Sequence, residues 1–438
     1  MSPETLGISS QINSVSLYLA LHSMGQIIKD WWWILPPFFL WGTFKKLYLF
    51  WSNERWDRTV KRILLEIKIP ENVLKPIKAM DQVFASFHGI HDIQTWREKW
   101  LEGQFQLTLS FEIVSIDGEV HFYIRTPEMF RSFIETNIYS QYPEAEISLV
   151  DDYTKKVPQD IPNKDWDLWA VDFINSKDEI YPIKTYPSFE EGKEPLEEKR
   201  LDPLAVLLEG MAALNPGEQF WLQIVAKPVM EKDKAWHKKA QELADKLARR
   251  PEKEKPRPIL SEAADLIISA KIPGSKKEEE PQFFPPEMKL TPGEREILGA
   301  VEMKSSKFGY DCNCRFVYLG KRDVFFKPRT KIGFGFFKEI STENLGGLKP
   351  WSQTMTKVKS IWFWYLDNRR LFLRKRRMLR YFSKRWSTLF PRKGSTYILN
   401  TEELATLYHF PGRMVAPAVG VTRVGAKKGG APLNLPIE

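Results

Sequence analysis

An aromatic, nearly uncharged run constrains the fold of this chain most strongly, because such a run needs an apolar environment. It covers residues 31–51 (WWWILPPFFLWGTFKKLYLFW). At 1.5 Å per residue it measures about 32 Å, close to the roughly 30 Å hydrocarbon core of a bilayer. We therefore predict a membrane anchor region in residues 1–56 with one transmembrane helix. Its anchoring side chains are Trp31, Trp32, Trp33, Trp41, Lys45, Lys46 and Trp51.

The charge around this run predicts its orientation. Basic residues follow the run at Arg55, Arg58, Lys61 and Arg62, whereas the preceding leader carries few charges. Positive loops stay on the cytoplasmic side, so we expect a single-pass protein of the inner (cytoplasmic) membrane with its body in the cytoplasm. The alternative is an amphipathic helix that lies in the membrane interface without crossing it.

Length, charge and cysteine usage bound the body of the protein. The chain has 438 residues, which leaves room beyond the anchor for two or three domains of ordinary size. A net charge of +9 favours binding to an anionic surface. The charge alone does not distinguish a membrane leaflet from nucleic acid. The two cysteines, Cys312 and Cys314, are too few for a disulfide framework.

Residues 57–160 alternate between the strand period and the helix period. Apolar and polar residues alternate in 63–69 and again in 105–113, and Asp117-Gly118 predicts a hairpin turn between two strands. Apolar residues at helical spacing in 77–87 and 130–138 predict two helices, and a fourth strand follows them. The predicted order is βαββαβ, the ferredoxin-like split unit.

Residues 161–345 predict a second unit of the same kind. It contains strands near residues 170–174, 220–224 and 314–318, a helix after Asp202-Pro203 and a helix opened by a capping box at Thr291 and Glu294. Residues 231–289 form an insertion with one charged helix and a linker rich in proline and charge. The predicted fold class is therefore α+β: a transmembrane helix, two ferredoxin-like units, the second interrupted, and a basic helical segment.

The chain offers no catalytic residue, cofactor-binding residue or metal site. His88 and His91 are the closest pair of potential metal ligands, but they lack a third donor, and a helix that ends near Gly89 explains them more simply. No HExxH or GxSxG motif occurs. We therefore expect a protein that is not an enzyme and binds no cofactor.

Residues 346–395 contain the strongest electrostatic feature, in which aromatic and basic side chains alternate. We weigh three interpretations: an amphipathic helix packed on the body with a solvated basic face, a surface that binds anionic lipid, and a surface that binds nucleic acid phosphates while its rings stack on bases. The membrane anchor favours lipid over DNA. The basic residues are Arg369, Arg370, Arg374, Lys375, Arg376, Arg377, Arg380, Lys384 and Arg385.

Residues 396–438 predict a short helix and a flexible tail. Asn400 and Glu403 form a capping box, and Pro411-Gly412 ends the apolar helix that follows. We interpret this helix as a junction to a partner. The junction residues are Asn400, Thr401, Glu403, Leu404, Leu407, Tyr408 and Pro411.

The chain resembles a known family over nearly its whole length. The stretches that carry the resemblance are the tryptophan-rich run, LLEIKIPENVLKPIKAMDQVFASFHGIHD, WLEGQFQLTLSFEIVSIDGEVHFYIRTPE, YPIKTYP, YILNTEELATLYHFPG and APLNLPIE. They resemble the membrane-proximal region of type IV secretion or conjugation-type ATPases of candidate-phyla bacteria. The resemblance implies that a HerA/FtsK-type motor domain follows this region. The sequence contains no such domain, so the motor is a separate polypeptide or this chain is a fragment.

The resemblance and the anchor together imply a function without catalysis. We expect a membrane-anchored module that tethers and orients a translocase ATPase, with the membrane and the ATPase as partners. The alternative is a membrane-associated DNA-binding protein that guides nucleic acid along its basic segment. A homo-oligomer is a further option, by analogy with ring-shaped motors.

Overall fold

A computed structural model describes residues 22–23, 26, 29–31, 35–70, 75–189, 202–250, 290–359, 364–386 and 396–411. The chain divides into two compact units. The anchor unit consists of Met1–Lys61 and Ile93–Phe105, and the sheet unit of Arg62–Asp92 and Gln106–Glu438. Helix α1, Leu35–Asp57, is the long helix of the anchor unit.

The sheet unit is built on one antiparallel sheet of nine strands. Eight strands follow the order β4-β1-β3-β2-β6-β7-β5-β8, and β9 pairs with β7 beside this path. The prediction of a mixed α+β fold is confirmed. The strands are β1 Arg62–Lys68, β2 Leu109–Ile116, β3 Glu119–Pro127, β4 Glu146–Val150, β5 Trp166–Asn175, β6 Glu218–Val229, β7 Gly309–Lys321, β8 Leu348–Pro350 and β9 Tyr397–Asn400.

The first half of the sheet follows the predicted order of elements. Helix α2, Lys78–Phe87, connects β1 to β2, and helix α3, Arg131–Gln141, connects β3 to β4. The β2–β3 hairpin turns at Asp117 and Gly118, whose φ angles of 56° and 90° require the left-handed conformation that Asp-Gly tolerates. The four strands are arranged β4-β1-β3-β2, with β1 and β3 in the centre.

The second half repeats this arrangement. Helix α4, Ala205–Ala212, connects β5 to β6, and helix α7, Lys331–Glu339, connects β7 to β8. The order β6-β7-β5-β8 is the same pattern, with β5 and β7 in the centre. Between β6 and β7 the chain forms α5, Trp236–Leu247, and α6, Pro292–Ser305, where the predicted capping box of Thr291 and Glu294 is present. The linker part of the predicted insertion lies outside the described residues.

The two halves join edge to edge through β2 and β6. These antiparallel strands pair from Leu109↔Ala226 to Ile116↔Gln219. The strands of the predicted domains 57–160 and 161–345 therefore share one sheet in one compact unit, whereas residues 57–61 and 93–105 belong to the anchor unit.

The sheet has a different cover on each face. On one face, α2, α3, α4 and α7 bury a large core that contains Phe84, Ile113, Phe220 and Phe316. Successive residues of a strand point to opposite faces, so Val114, Trp221 and Val317, which follow the last three of these, line the other face. Helix α8, Asp367–Lys384, covers that second face with Met378, Leu379 and Phe382. The result is a layer of helices, the sheet, and one basic helix.

The end of the described chain belongs to the core. Strand β9 pairs with the first part of β7, from Gly309↔Asn400 to Cys312↔Tyr397, and the helix α9, Thr401–Leu407, follows it directly. Cys312 and Cys314 point into the same core and are fully buried, unpaired thiols. Residues 396–411 are therefore an integral part of the sheet unit.

Candidate membrane-facing and basic surfaces

The described residues do not converge on a metal centre. Among them, no group of three histidine, cysteine or acidic side chains is placed to hold an ion. The Nε2 atom of His91 lies 2.7 Å from the Asp233 carboxylate, and the Nε2 atom of His88 lies 3.2 Å from the Val229 carbonyl oxygen. Burial lowers the pKa of His88 below its ordinary value, which favours the neutral ring. Packing and hydrogen bonding account for both histidines.

Helix α1 exposes large apolar side chains on several sides. The rings of Trp41, Phe44, Tyr48 and Trp51 follow one another along the helix with centroid distances of 5.8–6.3 Å. Large apolar side chains exposed next to one another mark a surface that contacts a membrane or a protein partner. Six of these side chains are 57–63 % exposed: Leu40, Trp41, Phe44, Leu47, Phe50 and Trp51.

A second segment of the anchor unit, residues 93–105, packs against α1. The Lys45 ammonium lies 5.2 Å from the centre of the Trp100 ring, and Trp56 meets Phe105 edge to face at 5.1 Å. Ile93, Trp96 and Leu101 of this segment are 61–70 % exposed. We call the exposed apolar side chains of α1 and of this segment the aromatic surface.

A close backbone approach fixes this segment on α1. Gly103 ends the helical turn Glu98–Glu102 in the left-handed conformation, at φ 75°. A Cβ at Gly103 would lie 2.3 Å from the Ser52 carbonyl oxygen, so only glycine fits there. Sequence reasoning missed this segment, although Trp96 and Trp100, one helical turn apart, are a signal that was available.

The spanning prediction for residues 31–51 finds no support. No helix in the described part of the chain combines the length and the apolarity that crossing a bilayer requires. The physical reason is that Lys45 and Lys46 interrupt α1 near its middle and that its last turns carry Asn53, Glu54, Arg55 and Asp57. Of the predicted anchoring tryptophans, Trp31 and Trp41 are 59 % exposed and Trp51 is 57 % exposed. Trp32 and Trp33 lie outside the described residues.

Apolar contacts and ion pairs fix helix α8 on the sheet. Met378, Leu379 and Phe382 are buried against the second face. The Lys375 ammonium pairs with Asp167 on β5, and the Arg374 guanidinium donates to the Met355 carbonyl oxygen at 2.7 Å. Two of the predicted basic residues therefore serve the docking of the helix.

The C-terminal end of α8 is held by buried charge. Arg385 is 4 % exposed and donates from Nε to the Glu112 carboxylate at 2.9 Å and from Nη2 to Asp152 at 3.0 Å. Burial alone would raise the pKa of the Glu112 carboxyl, but the charge and hydrogen bonds of Arg385 outweigh burial and lower it. The predicted surface residue Arg385 is thus an internal ion-pair partner.

The second half of the sheet contributes to the same attachment. Gln223 of β6 donates to Glu112 at 2.9 Å and to the Phe382 carbonyl oxygen at 3.2 Å. Arg315 of β7, which lies 3.0 Å from Asp172, donates to the Trp386 carbonyl oxygen at 2.6 Å. The end of α8 is therefore attached to both halves, beside the β2–β6 junction.

The opposite side of α8 faces solvent. Arg369, Arg377, Arg380 and Lys384 are exposed there and form no ion pair with any residue that the structure describes. Leu373 is 51 % exposed between them. Exposed Arg376 and Arg370 flank this side, and the Arg376 guanidinium lies 4.7 Å from the Phe372 ring centre. We call Arg369, Leu373, Arg377, Arg380 and Lys384 the basic face.

The predicted junction residues point inward. Asn400 and Glu403 form the predicted capping box, and Leu404, Leu407 and Tyr408 are fully buried. The Glu403 carboxylate lies 3.1 Å from the Lys304 ammonium and accepts from the Ile183 amide at 2.9 Å. Thr401 is also buried, and Pro411 is half-buried at the end of the described segment.

Comparison with known proteins gives no family for this chain, so the proposed function is argued from these surfaces. No protein-family model matches the chain, and no curated protein is similar to it by sequence.

Proposed function

We propose that this protein is a non-enzymatic, membrane-attached module of a type IV secretion or conjugation-like system, which holds and orients a separate HerA/FtsK-type translocase ATPase at the cytoplasmic membrane. The observation that carries the membrane part is the aromatic surface. Six side chains of α1 and three of residues 93–105 expose most of their apolar area in one compact unit. An exposed apolar area of this kind marks a surface that a bilayer or a partner covers.

The composition of this surface favours a membrane interface over a protein partner. Tryptophan and tyrosine prefer the headgroup level of a bilayer, and lysine can extend its ammonium toward water beside them. Trp41, Trp51 and Trp96 are exposed beside Lys45 and Lys46 in the anchor unit. Since α1 contains these lysines, we propose attachment in the interface rather than a helix that spans the bilayer.

The motor part of the proposal rests on the sequence resemblance and on the placement of α9. Helix α9 is held by the buried Lys304–Glu403 pair and by the Tyr186 amide, which donates to Thr406 Oγ1 at 2.9 Å. The chain beyond Pro411 therefore follows a helix that buried contacts fix in the sheet unit, which suits a mount for an ATPase. The strand order of each half of the sheet supports the interpretation as two fused ferredoxin-like units.

Guidance of DNA is the second candidate function. It is favoured by the four exposed cations of the basic face, with Trp364, Tyr365 and Trp386 exposed at the two ends of α8. Cations that neutralise phosphates and rings that stack on unpaired bases are the common elements of single-strand binding.

Vesicle flotation tests the membrane part. We expect the full chain to float with vesicles of neutral phosphatidylcholine, and the variant Trp41→Ser/Phe44→Ser/Leu47→Ser to lose most of this binding. Each buried side chain of this size contributes about 1.5–3 kcal/mol. The matched control replaces three exposed apolar residues of the sheet unit, Met129→Ser/Met303→Ser/Phe326→Ser, and should float like the native chain. Equal flotation of both variants would contradict attachment through the aromatic surface.

A further inference from the structure

We propose that the basic face of α8 binds the anionic headgroups of a lipid bilayer. This inference rests on the proposed attachment to a membrane and goes beyond it, since it assigns a second contact and selects the lipid class. Arg369, Leu373, Arg377, Arg380 and Lys384 recur every three or four residues, so they share one side of the helix. They extend over about 22 Å at 1.5 Å per residue, a flat strip that fits a planar surface.

The attachment of α8 to the sheet leaves this strip fully available. Its other side is committed to the sheet through Met378, Leu379 and Phe382 and through the buried pair of Arg385 with Glu112. The helix is thereby held in place before any ligand binds, so binding costs little conformational entropy. The four cations of the basic face have no acidic partner in the described part of the chain.

Apolar residues lie among the cations of this strip. Leu373 lies in the middle of the strip and is 51 % exposed, and Phe372 beside it is 39 % exposed. A leucine side chain offers no surface for stacking on a base, whereas it can enter the acyl boundary below the headgroups. A strip of arginine and lysine with leucine at its centre therefore favours an anionic bilayer over nucleic acid. Tethering of the same chain through the aromatic surface raises the effective concentration of that bilayer.

The test compares vesicles of neutral phosphatidylcholine with vesicles that also contain anionic phosphatidylglycerol. The full chain should bind the anionic vesicles more tightly, and this gain should fall as salt increases. In the variant Arg369→Gln/Arg377→Gln/Arg380→Gln/Lys384→Gln the gain should fall at least tenfold, since each charge near an anionic surface contributes about fivefold. The four residues are solvent-facing, so thermal unfolding of the variant should match that of the native chain.

The matched control removes the same number of charges elsewhere. Lys232→Gln/Lys238→Gln/Lys246→Gln/Lys327→Gln replaces exposed lysines of the sheet unit and should keep the full preference for anionic vesicles. If this control lost the preference for anionic vesicles to the same extent, net charge alone would explain the loss, and the proposal would be overturned. So would unchanged binding of anionic vesicles by the α8 variant, or an absence of preference in the native chain.

The same measurements separate this proposal from its competitors. If the native chain ignores neutral vesicles but binds anionic ones through α8, attachment by the aromatic surface fails and the basic face stands. If the α8 variant loses binding to a single-stranded oligonucleotide while its binding to anionic vesicles is unchanged, the basic face serves nucleic acid and the lipid proposal fails.

Discussion

Arg385, just beyond the end of α8, forms a buried ion pair with Glu112 on β2, with 2.9 Å between Nε and the carboxylate oxygen. Arg385 adopts the left-handed conformation, at φ 55°, which ends the helix and directs its side chain into the sheet. Glu112 is fully buried and also accepts hydrogen bonds from Tyr153 and Gln223. Together with the buried Met378, Leu379 and Phe382, this ion pair fixes which side of the basic helix faces the sheet and which side faces solvent.

The Arg385→Ala variant should be destabilised by about 3–5 kcal/mol, because removal of one partner leaves Glu112 charged and buried. Urea unfolding measures the loss of free energy. Arg380→Ala is the control on the same helix, since Arg380 is exposed and its loss should change stability by less than about 0.5 kcal/mol. Similar stabilities for both variants would contradict the assigned role of Arg385.

The stability of the sheet unit should decrease in acid. The pKa values of Glu112 and Asp152 are below their ordinary values in the folded state, as Arg385 outweighs the effect of burial. A carboxyl with a depressed folded pKa stabilises the fold above its unfolded pKa and loses this contribution as the pH falls through the folded pKa. Free energies of unfolding measured from neutral pH down to about pH 3 should therefore fall below about pH 4.5. Glu112→Gln should start less stable and show a shallower decline; a slope equal to that of the native chain would contradict this explanation.

The Lys304–Glu403 pair offers a double-mutant test of how α9 is attached. Lys304→Met should cost about 3 kcal/mol, because it leaves the Glu403 carboxylate buried without its cation. Adding Glu403→Gln removes that charge and keeps an oxygen for the Ile183 amide, so the double variant should be more stable than the sum of the two single changes predicts. Strict additivity in urea unfolding would show that the two side chains are not coupled.

Gly103→Ala should detach residues 93–105 from α1. The substitution places a Cβ on a residue with a positive φ and 2.3 Å from the Ser52 carbonyl oxygen. Because the contacting atom belongs to the backbone, relieving the clash requires the backbone of α1 or of residues 93–105 to shift. Limited trypsin digestion should cut at Arg97 and Lys99 much faster than in the native chain. Gly299→Ala in α6 is the control, since its Cβ meets nothing within 4 Å and alanine favours the helix. Unchanged digestion of the Gly103 variant would contradict the packing described for the anchor unit.

Local patterns predicted the elements of the sheet unit well. The Asp117-Gly118 turn and both capping boxes depend on residues close in sequence, and the structure contains each of them. The alternation in residues 105–113 predicted the strand β2, which in the structure begins only at Leu109. The interpretation of the basic segment as an amphipathic helix packed on the body also depends on apolar residues that recur at helical spacing within that segment. These features are predictable because side-chain spacing and capping act over one or two turns.

Contacts between residues that are far apart in the chain could not be predicted from local sequence patterns. Glu112 alternates with apolar neighbours and has the pattern of a solvent-facing residue, yet Arg385, 273 positions away, buries it. The helix that begins after Asn400 was interpreted as a junction, but β9 pairs with β7 and α9 lies in the core. The length of an apolar run predicted a spanning helix, whereas the position of Lys45 and Lys46 within α1 limits its apolarity.

The most direct test of the account is a partner analysis from gently solubilised membranes. The full chain is compared with a chain that ends at Pro411, because a cut before β9 would remove strand and helix from the core. We expect mass spectrometry to find a HerA/FtsK-type ATPase with the full chain and little or none with the shortened chain, while both chains remain in the membrane fraction. Recovery of both chains without any such ATPase would contradict the claim that this protein holds a translocase motor at the membrane.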